Sequence, residues 1–594
     1  MTKIRTEWDL NVFFQDLNDP AIEQNLRETE QKNYEFINKW KDRTDYLKDP
    51  KVLAEALKEY EVLGAVYGET GNAGYFLGLA QALDQANPNI KAKGEKIEEI
   101  SDKITNDIKF FEERVSKIPL DDQAKFLSDP ALRDFKHLLE TMFASARYLL
   151  SESEEKILNI MGSTSYSRWV EMLSEFLSTE HADVKGKTRN IAELMDLLSD
   201  RDGKTRDEAA EKFNTILEKH VNTAEHELDA VLKFKKEIDK LRGFERPDSA
   251  RHLADDMDSG TVDSLVESVK ASFDISKRYY ELKAKLMGVP KLKYHERNVQ
   301  LGETDKKYSF EESFELVTKT LDGMDPTLQE TVTQMLESGN VDVFPKEGKS
   351  DGAFCTHGLK SQPIFILLNL TGRLDDVVTF AHESGHAIHF ELARRAQNSL
   401  NMDTSLATAE VASTFVEDFV LEKVFGEVED EERLWLLMEK LNGLVSTIQR
   451  QIACYSFEMD LHKSFREIGY LPKEKIGELF SKNMADYMGD FVELSEGSQN
   501  WWVYWDHIRR YFYVYSYARG ILISMSLQEM VREDAGNIEK IKGFLSAGSS
   551  QSPADIFKGL GIDIADKEFW AKGLDKQRAL LDEAWKLAEK LGKL

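Results

Sequence analysis

Between residues 20 and 290, apolar side chains recur at helical spacing through a dense field of charge, as in AIEQNLRETEQKNYEFINKWKDR and KGEKIEEISDKITNDIKFFEERVSKI. Such spacing gives each helix one apolar stripe, so this half of the chain becomes compact only by packing long amphipathic helices against one another. With 12 prolines in 594 residues, few helices need be interrupted, and the fold class expected is mainly α. There is no fixed-period repeat and no Ser/Gly linker. The break at SDRDGKTRDEAA, residues 199–210, is the best boundary signal, and it suggests an N-terminal helical domain over 1–199 and a second domain over 200–594.

The pattern changes over residues 340–373, where NVDVFPKEGKSDGAFCTHGLKSQPIFILLNLTG mixes glycines with short apolar runs. A small β-sheet is predicted here. Asp375 and Asp376 then suit the first turn of a helix, which the apolar spacing from Val377 through Leu392 continues.

Composition excludes several function classes. Lys and Arg total 78 against 107 Asp and Glu, a net charge of -29 that opposes binding to phosphate backbones or anionic membranes, so no nucleic-acid and no membrane partner is expected. The two cysteines, Cys355 and Cys454, form no CxxC pattern, which fits a reducing compartment and argues against a disulfide framework. The stretch MTKIRTEWDLNVFF has no continuous apolar segment, and runs such as PIFILLNL fall far short of the roughly 20 residues that span a bilayer. A cytoplasmic location is the expectation.

The stretch FAHESGHAIHF, residues 380–390, lies on the predicted helix and carries the chemistry. His382 and His386 are four apart, so both imidazoles project from one face and can converge on one metal ion. Glu383 is offset from that face, outside the ligand set yet close enough to act as a general base on a water. A catalytic zinc site needs a third protein ligand and an open position. His389, Glu391, Glu410 and Glu417 are the candidates. His389 and Glu391 share the motif helix, and three ligands on adjacent turns of one straight helix make a poor tetrahedral corner. ATAEVASTFVEDFVLEKVF, residues 407–425, reads as a second helix with Glu410 and Glu417 seven apart on one face, one to ligate and the other to orient.

FILLNLTGRLDDVVTFAHE, HESGHAIH, AEVASTFVE, HIRRYFYVYSYARG and LSAGSSQSPADIFKGLGIDI resemble, in this order along residues 200 to 585, the thimet and oligoendopeptidase F group of zinc peptidases. The resemblance implies two helical lobes enclosing a substrate cleft, one zinc ion, and hydrolysis of internal bonds in short, unstructured oligopeptides. It makes Glu410 the third ligand beside His382 and His386, with Glu417 in support. Ser384 replaces a residue that oligoendopeptidases often have bulky and apolar, a departure that touches packing and not the ligands.

WWVYWDHIRRYFYVYSY, residues 501–517, concentrates aromatic residues with more hydroxyls than a core stripe needs. The resemblance gives the histidine and tyrosines of this stretch a role in stabilising the oxyanion of amide hydrolysis, which falls here on His507, Tyr513 and Tyr517. Tyr511 and Tyr515 form the competing pair, and Gly520 stands where the thimet branch has a tyrosine. His357, in the loop GAFCTHGLK, is within reach of a peptide, and PIFILLNL is expected to offer its edge to an extended substrate by strand addition. Two rival readings are a dipeptidyl carboxypeptidase, which would need Arg509, Arg510 or Arg519 to hold a free carboxylate, and a non-catalytic peptide-binding scaffold.

Overall fold

The computed structural model describes residues 4–302, 306–404 and 406–594, and helices dominate it as the periodicity predicts. Their starts are written locally. Asp19, Asp49 and Asn87 each accept a hydrogen bond from the first turn of a helix that opens on proline, at Pro20, Pro50 and Pro88. Ser552 caps the helix Pro553–Gly559 in the same way.

Two compact units form, and neither is continuous in sequence. The first comprises Met1–Arg147, Asp305–Gly426 and Leu527–Gly561; the second comprises Tyr148–Thr304, Glu427–Ser526 and Ile562–Leu594. The units therefore do not follow the division at 199/200. Residues 199–202 are only a short turn inside the second unit, between the helices Ile191–Leu197 and Gly203–Arg242.

In the first unit, the helices Pro20–Trp40, Pro50–Val62, Phe110–Ser116 and Lys136–Ala146 bury Trp40, Tyr46, Leu53, Phe111 and Phe126 in one cluster. A three-stranded sheet occupies the predicted region. Its middle strand, Phe365–Leu367, pairs in parallel with Val341–Asp342 and antiparallel with Phe354–Thr356, in the register Cys355 to Ile366. This corrects the expectation that PIFILLNL offers its edge. Phe365, Ile366 and Leu367 are fully buried, and both sides of the strand are paired. The outer strands are Val341–Asp342 and Phe354–Thr356, the latter with residues only partly buried. An uninterrupted apolar run marks a central strand, whereas the more mixed GAFCT marks an edge.

The motif helix, Leu374–Ala396, begins where Asp376 accepts hydrogen bonds from the backbone amides of Thr371 and Arg373, and it packs against the strand Phe354–Thr356 and the helix Ile538–Ser546. In the second unit the axis is Gly203–Arg242, a 40-residue helix that ends on Gly243 in the left-handed conformation. Around it pack Gln449–Ile468, Lys473–Met488 and the turns that carry the aromatic stretch.

Candidate metal centre

The second motif helix, Leu406–Glu427, lies close against the first, and Gly385 is the reason it can. A Cβ on Gly385 would stand 2.5 Å from both the Ala412 carbonyl oxygen and the Ser413 Cα, so the two backbones touch where HESGH has no side chain. Ser384 is fully buried and turns its hydroxyl back to the Phe380 carbonyl at 2.7 Å, away from the ligands.

This approach brings Glu410 to the histidines. Its Oε2 lies 3.4 Å from His382 Nε2 and 3.6 Å from His386 Nε2. Bonds of about 2.0–2.2 Å to one tetrahedral zinc would set its ligand atoms roughly 3.3–3.5 Å apart, so this donor set fits that ion. Glu417 Oε2 lies 3.4 Å from Nδ1 of His382, the nitrogen turned away from Glu410, where a carboxylate fixes the tautomer of a ligating imidazole. Ser413 donates to Glu410 Oε2 at 3.1 Å, a support that sequence reasoning did not single out.

The electrostatics match a cation-binding cluster. Burial would lower the His382 imidazole, but Glu410 and Glu417 outweigh it and hold it well above its ordinary value. At His386 burial prevails and takes the imidazole down to about 4. The two carboxylates thus draw positive charge to this cluster, a proton on His382 or a divalent cation in its place. Glu383 stands apart from the ligand set and is 6% exposed. Burial pushes its carboxyl up to about 7, with the backbone amide of Cys355, on the edge strand, pulling the other way.

The other candidates have separate employment. His389 is buried and stacks on Phe544 at 6.4 Å, and Glu391 is paired with Arg394 and Arg395. His357 packs on Phe390 with ring centroids 4.0 Å apart. A second acidic group, Asp207 with His295 and Glu296, is already neutralised, since Lys293 reaches Asp207 at 2.7 Å and Arg206 reaches Glu296 at 2.8 Å.

The aromatic stretch belongs to the second unit. There His507 Nε2 lies 3.1 Å from the Tyr517 hydroxyl, and the Tyr513 and Tyr517 rings meet edge to face at 5.4 Å. Burial lowers the His507 imidazole, so it is neutral at neutral pH. The competing pair is tied inward: Tyr511 donates to the Val231 carbonyl at 3.1 Å, and Tyr515, fully buried, to Asp255 at 2.7 Å.

The helix pair has the donor set of a metal-dependent hydrolase. The comparisons agree with it. The model of Peptidase family M3 matches residues 196–576, and that of Oligopeptidase F matches residues 115–178. An oligoendopeptidase F homolog of Borreliella burgdorferi is 25% identical over 98% of both chains, and Oligopeptidase PepF of Bacillus subtilis is 25% identical over 75% of this chain and 68% of its own. A solved structure from Chlamydophila abortus superposes with a TM-score of 0.88 at 20% identity, covering 98% of this chain and 100% of the other. Oligoendopeptidase-F from Enterococcus faecium does so with 0.69 at 18%, covering 96% and 99%. The structures, at these identities, speak for the fold alone. The chain belongs to peptidase family M3, and it is an oligoendopeptidase of that family, a zinc metallopeptidase that hydrolyses oligopeptides.

The order of the two acidic roles is open to test. Glu417→Ala should weaken zinc binding by about 10- to 100-fold, the usual effect of removing a carboxylate behind a ligand histidine, and Glu410→Ala should weaken it further. Metal titration of the two variants gives the order directly, and the reverse result would exchange the roles.

Proposed function

We propose that His382, His386 and Glu410 hold one zinc ion and that Glu383 is the general base for cleavage of internal peptide bonds. The observation that carries this reading is the convergence of the three donor atoms, with Glu383 beside them and outside their set. When bound, zinc polarises the scissile carbonyl and acidifies water at neutral pH. Glu383 takes a proton from the attacking water and later delivers it to the departing amine, while the carbonyl carbon passes through a tetrahedral oxyanion. His507, Tyr513 and Tyr517 donate hydrogen bonds to that oxyanion and to the substrate main chain. The outer edge of Phe354–Thr356, next to Glu383, takes over the strand-addition role from PIFILLNL.

The arginines favour an endopeptidase over a dipeptidyl carboxypeptidase. Arg509 is buried and makes two hydrogen bonds to Glu227, at 3.1 and 2.8 Å. Arg510 reaches Asp506 at 3.0 Å, and Arg519 is 1% exposed behind Tyr515. Arg509 is committed to Glu227 and Arg519 is shut away from solvent, which leaves the exposed Arg510, held by Asp506, to meet a terminal carboxylate. Substrates are short, unstructured peptides, with folded proteins spared. Internally quenched peptides of increasing length, each with free and amidated C-termini, should be cleaved equally well in both forms, and a chelator should abolish turnover. Strong dependence on the free carboxylate would restore the exopeptidase reading. Cleavage throughout a long disordered protein such as casein, at rates matching the short peptides, would remove the preference for short substrates.

A further inference from the structure

His507 lies before a sharp reversal of the chain, and Tyr513 and Tyr517 lie after it, so the reversal determines whether they meet. It is made by Tyr511 and Phe512, both in the left-handed region, with φ of 48° and 59°. Among the described residues the only other non-glycine positions with positive φ are Lys185 and Asp256. For two consecutive bulky aromatic residues this conformation is unfavourable, and it persists only where surrounding structure over-determines it. Neither residue is a glycine or asparagine, so the turn has no local chemistry to hold it.

The hold comes from below. The backbone N–H of Phe512 points into the protein and donates to Glu458 Oε2 at 2.6 Å. Glu458 is fully buried in the helix Gln449–Ile468, and its other oxygen has no hydrogen-bond partner. The Phe512 ring is fully buried against Tyr455 and His462, with centroids 5.5 and 4.9 Å away. On the other side Tyr166 donates to the Arg509 carbonyl at 2.5 Å, and Tyr511 is tied to Val231. Without Glu458 the Phe512 amide would be buried and unpaired in this conformation, and rotating out of it would undo the reversal.

We propose that Glu458 is a positioning residue, which holds the Tyr511–Phe512 reversal and thereby sets His507 against Tyr513 and Tyr517. This rests on the reading that those three side chains act on the substrate. Burial pushes the Glu458 carboxyl up to about 8 against the opposing pull of the Phe512 amide, so the group that accepts this hydrogen bond is mainly a neutral one at neutral pH. Glutamine reproduces its size, its lack of charge and its acceptor oxygen; methionine reproduces only its size.

The test uses the full-length zinc-loaded chain, an internally quenched oligopeptide, and measurements of kcat, KM, zinc content and thermal stability. Glu458→Met should lower kcat by about 10- to 100-fold, the scale of misplaced catalytic groups, with KM and zinc content within about twofold of the parent. Glu458→Gln should return kcat to within about threefold of the parent, and Glu458→Met should cost little more when added to Tyr513→Phe with Tyr517→Phe. If Glu458→Met does not fold, Glu458→Asp, which withdraws the carboxyl by one methylene, is measured for the same loss. Unchanged kcat in Glu458→Met while Tyr513→Phe lowers it would overturn the proposal and leave the role of the tyrosines intact. So would a Glu458→Gln variant as impaired as Glu458→Met. If neither Tyr513→Phe nor Tyr517→Phe lowers kcat, the underlying reading of the aromatic stretch fails instead.

Discussion

Glu383→Gln is expected to keep about one zinc per chain and to lose at least about 100-fold in kcat, the contribution of a positioned general base. On a helix, adjacent residues point about 100° apart, so Glu383 cannot share the face on which His382 and His386 converge. In the structure the candidate donor group is His382, His386 and Glu410, while Glu383 is buried outside it and influenced by the Cys355 amide. Glutamine preserves the shape of that arrangement and removes only the basic oxygen. Metal content measured on the purified variant, together with kcat on an oligopeptide, decides the matter. Loss of zinc would make Glu383 a ligand, and full activity would move the general base elsewhere.

Gly385→Ala is expected to have a comparably large effect without touching any ligand. Intrinsic propensity alone would favour alanine in a helix interior by about 1 kcal/mol. Here the added Cβ would meet the Ala412 carbonyl and Ser413 Cα at 2.5 Å, and both are backbone, which cannot swing aside. Overpacking of this kind costs about 1–3 kcal/mol or more, so the clash prevails and the two helices must part. Glu410 departs with its helix. Zinc affinity should fall by more than about 100-fold, beyond the effect of removing an outer carboxylate, and the melting temperature should fall as well. Gly443→Ala is the control: nothing lies within 4 Å of a Cβ there, and it should be neutral or slightly stabilising. Undiminished zinc affinity in Gly385→Ala would show that this helix contact does not build the site.

The helices and the grouping of His382, His386 and Glu410 were legible because both are periodic. The four-residue spacing of His382 and His386 and the seven-residue spacing of Glu410 and Glu417 are statements about helix faces, and in the structure Glu410 lies near both histidines and Glu417 near His382. Choosing Glu410 as the proposed third ligand needed the resemblance, since spacing alone left four candidates. The edge strand was misplaced because a run as apolar as PIFILLNL records burial and not which neighbour is missing. A clearer signal was available in the more mixed GAFCT. The Tyr511–Phe512 reversal was illegible, because left-handed backbone announces itself through glycine or asparagine and here it is imposed from another helix. Its one trace is Glu458, an acid set among the apolar residues of IACYSFEMDL.

The two units each gather three separate stretches of chain, and this orders events during synthesis. The first unit holds Met1–Arg147 but also needs Leu527–Gly561, and the second holds Tyr148–Thr304 but also needs Ile562–Leu594. A nascent chain emerging from the ribosome cannot complete the first unit before the second has begun. Trp8 and Leu79 must stay uncovered until Phe365 and Leu367 are made, which exposes the growing chain to aggregation and to capture by chaperones. Cutting the gene at the turn near residue 200 would part each unit from stretches of chain that belong to it. The cost of this threading falls on biogenesis, before any peptide is hydrolysed.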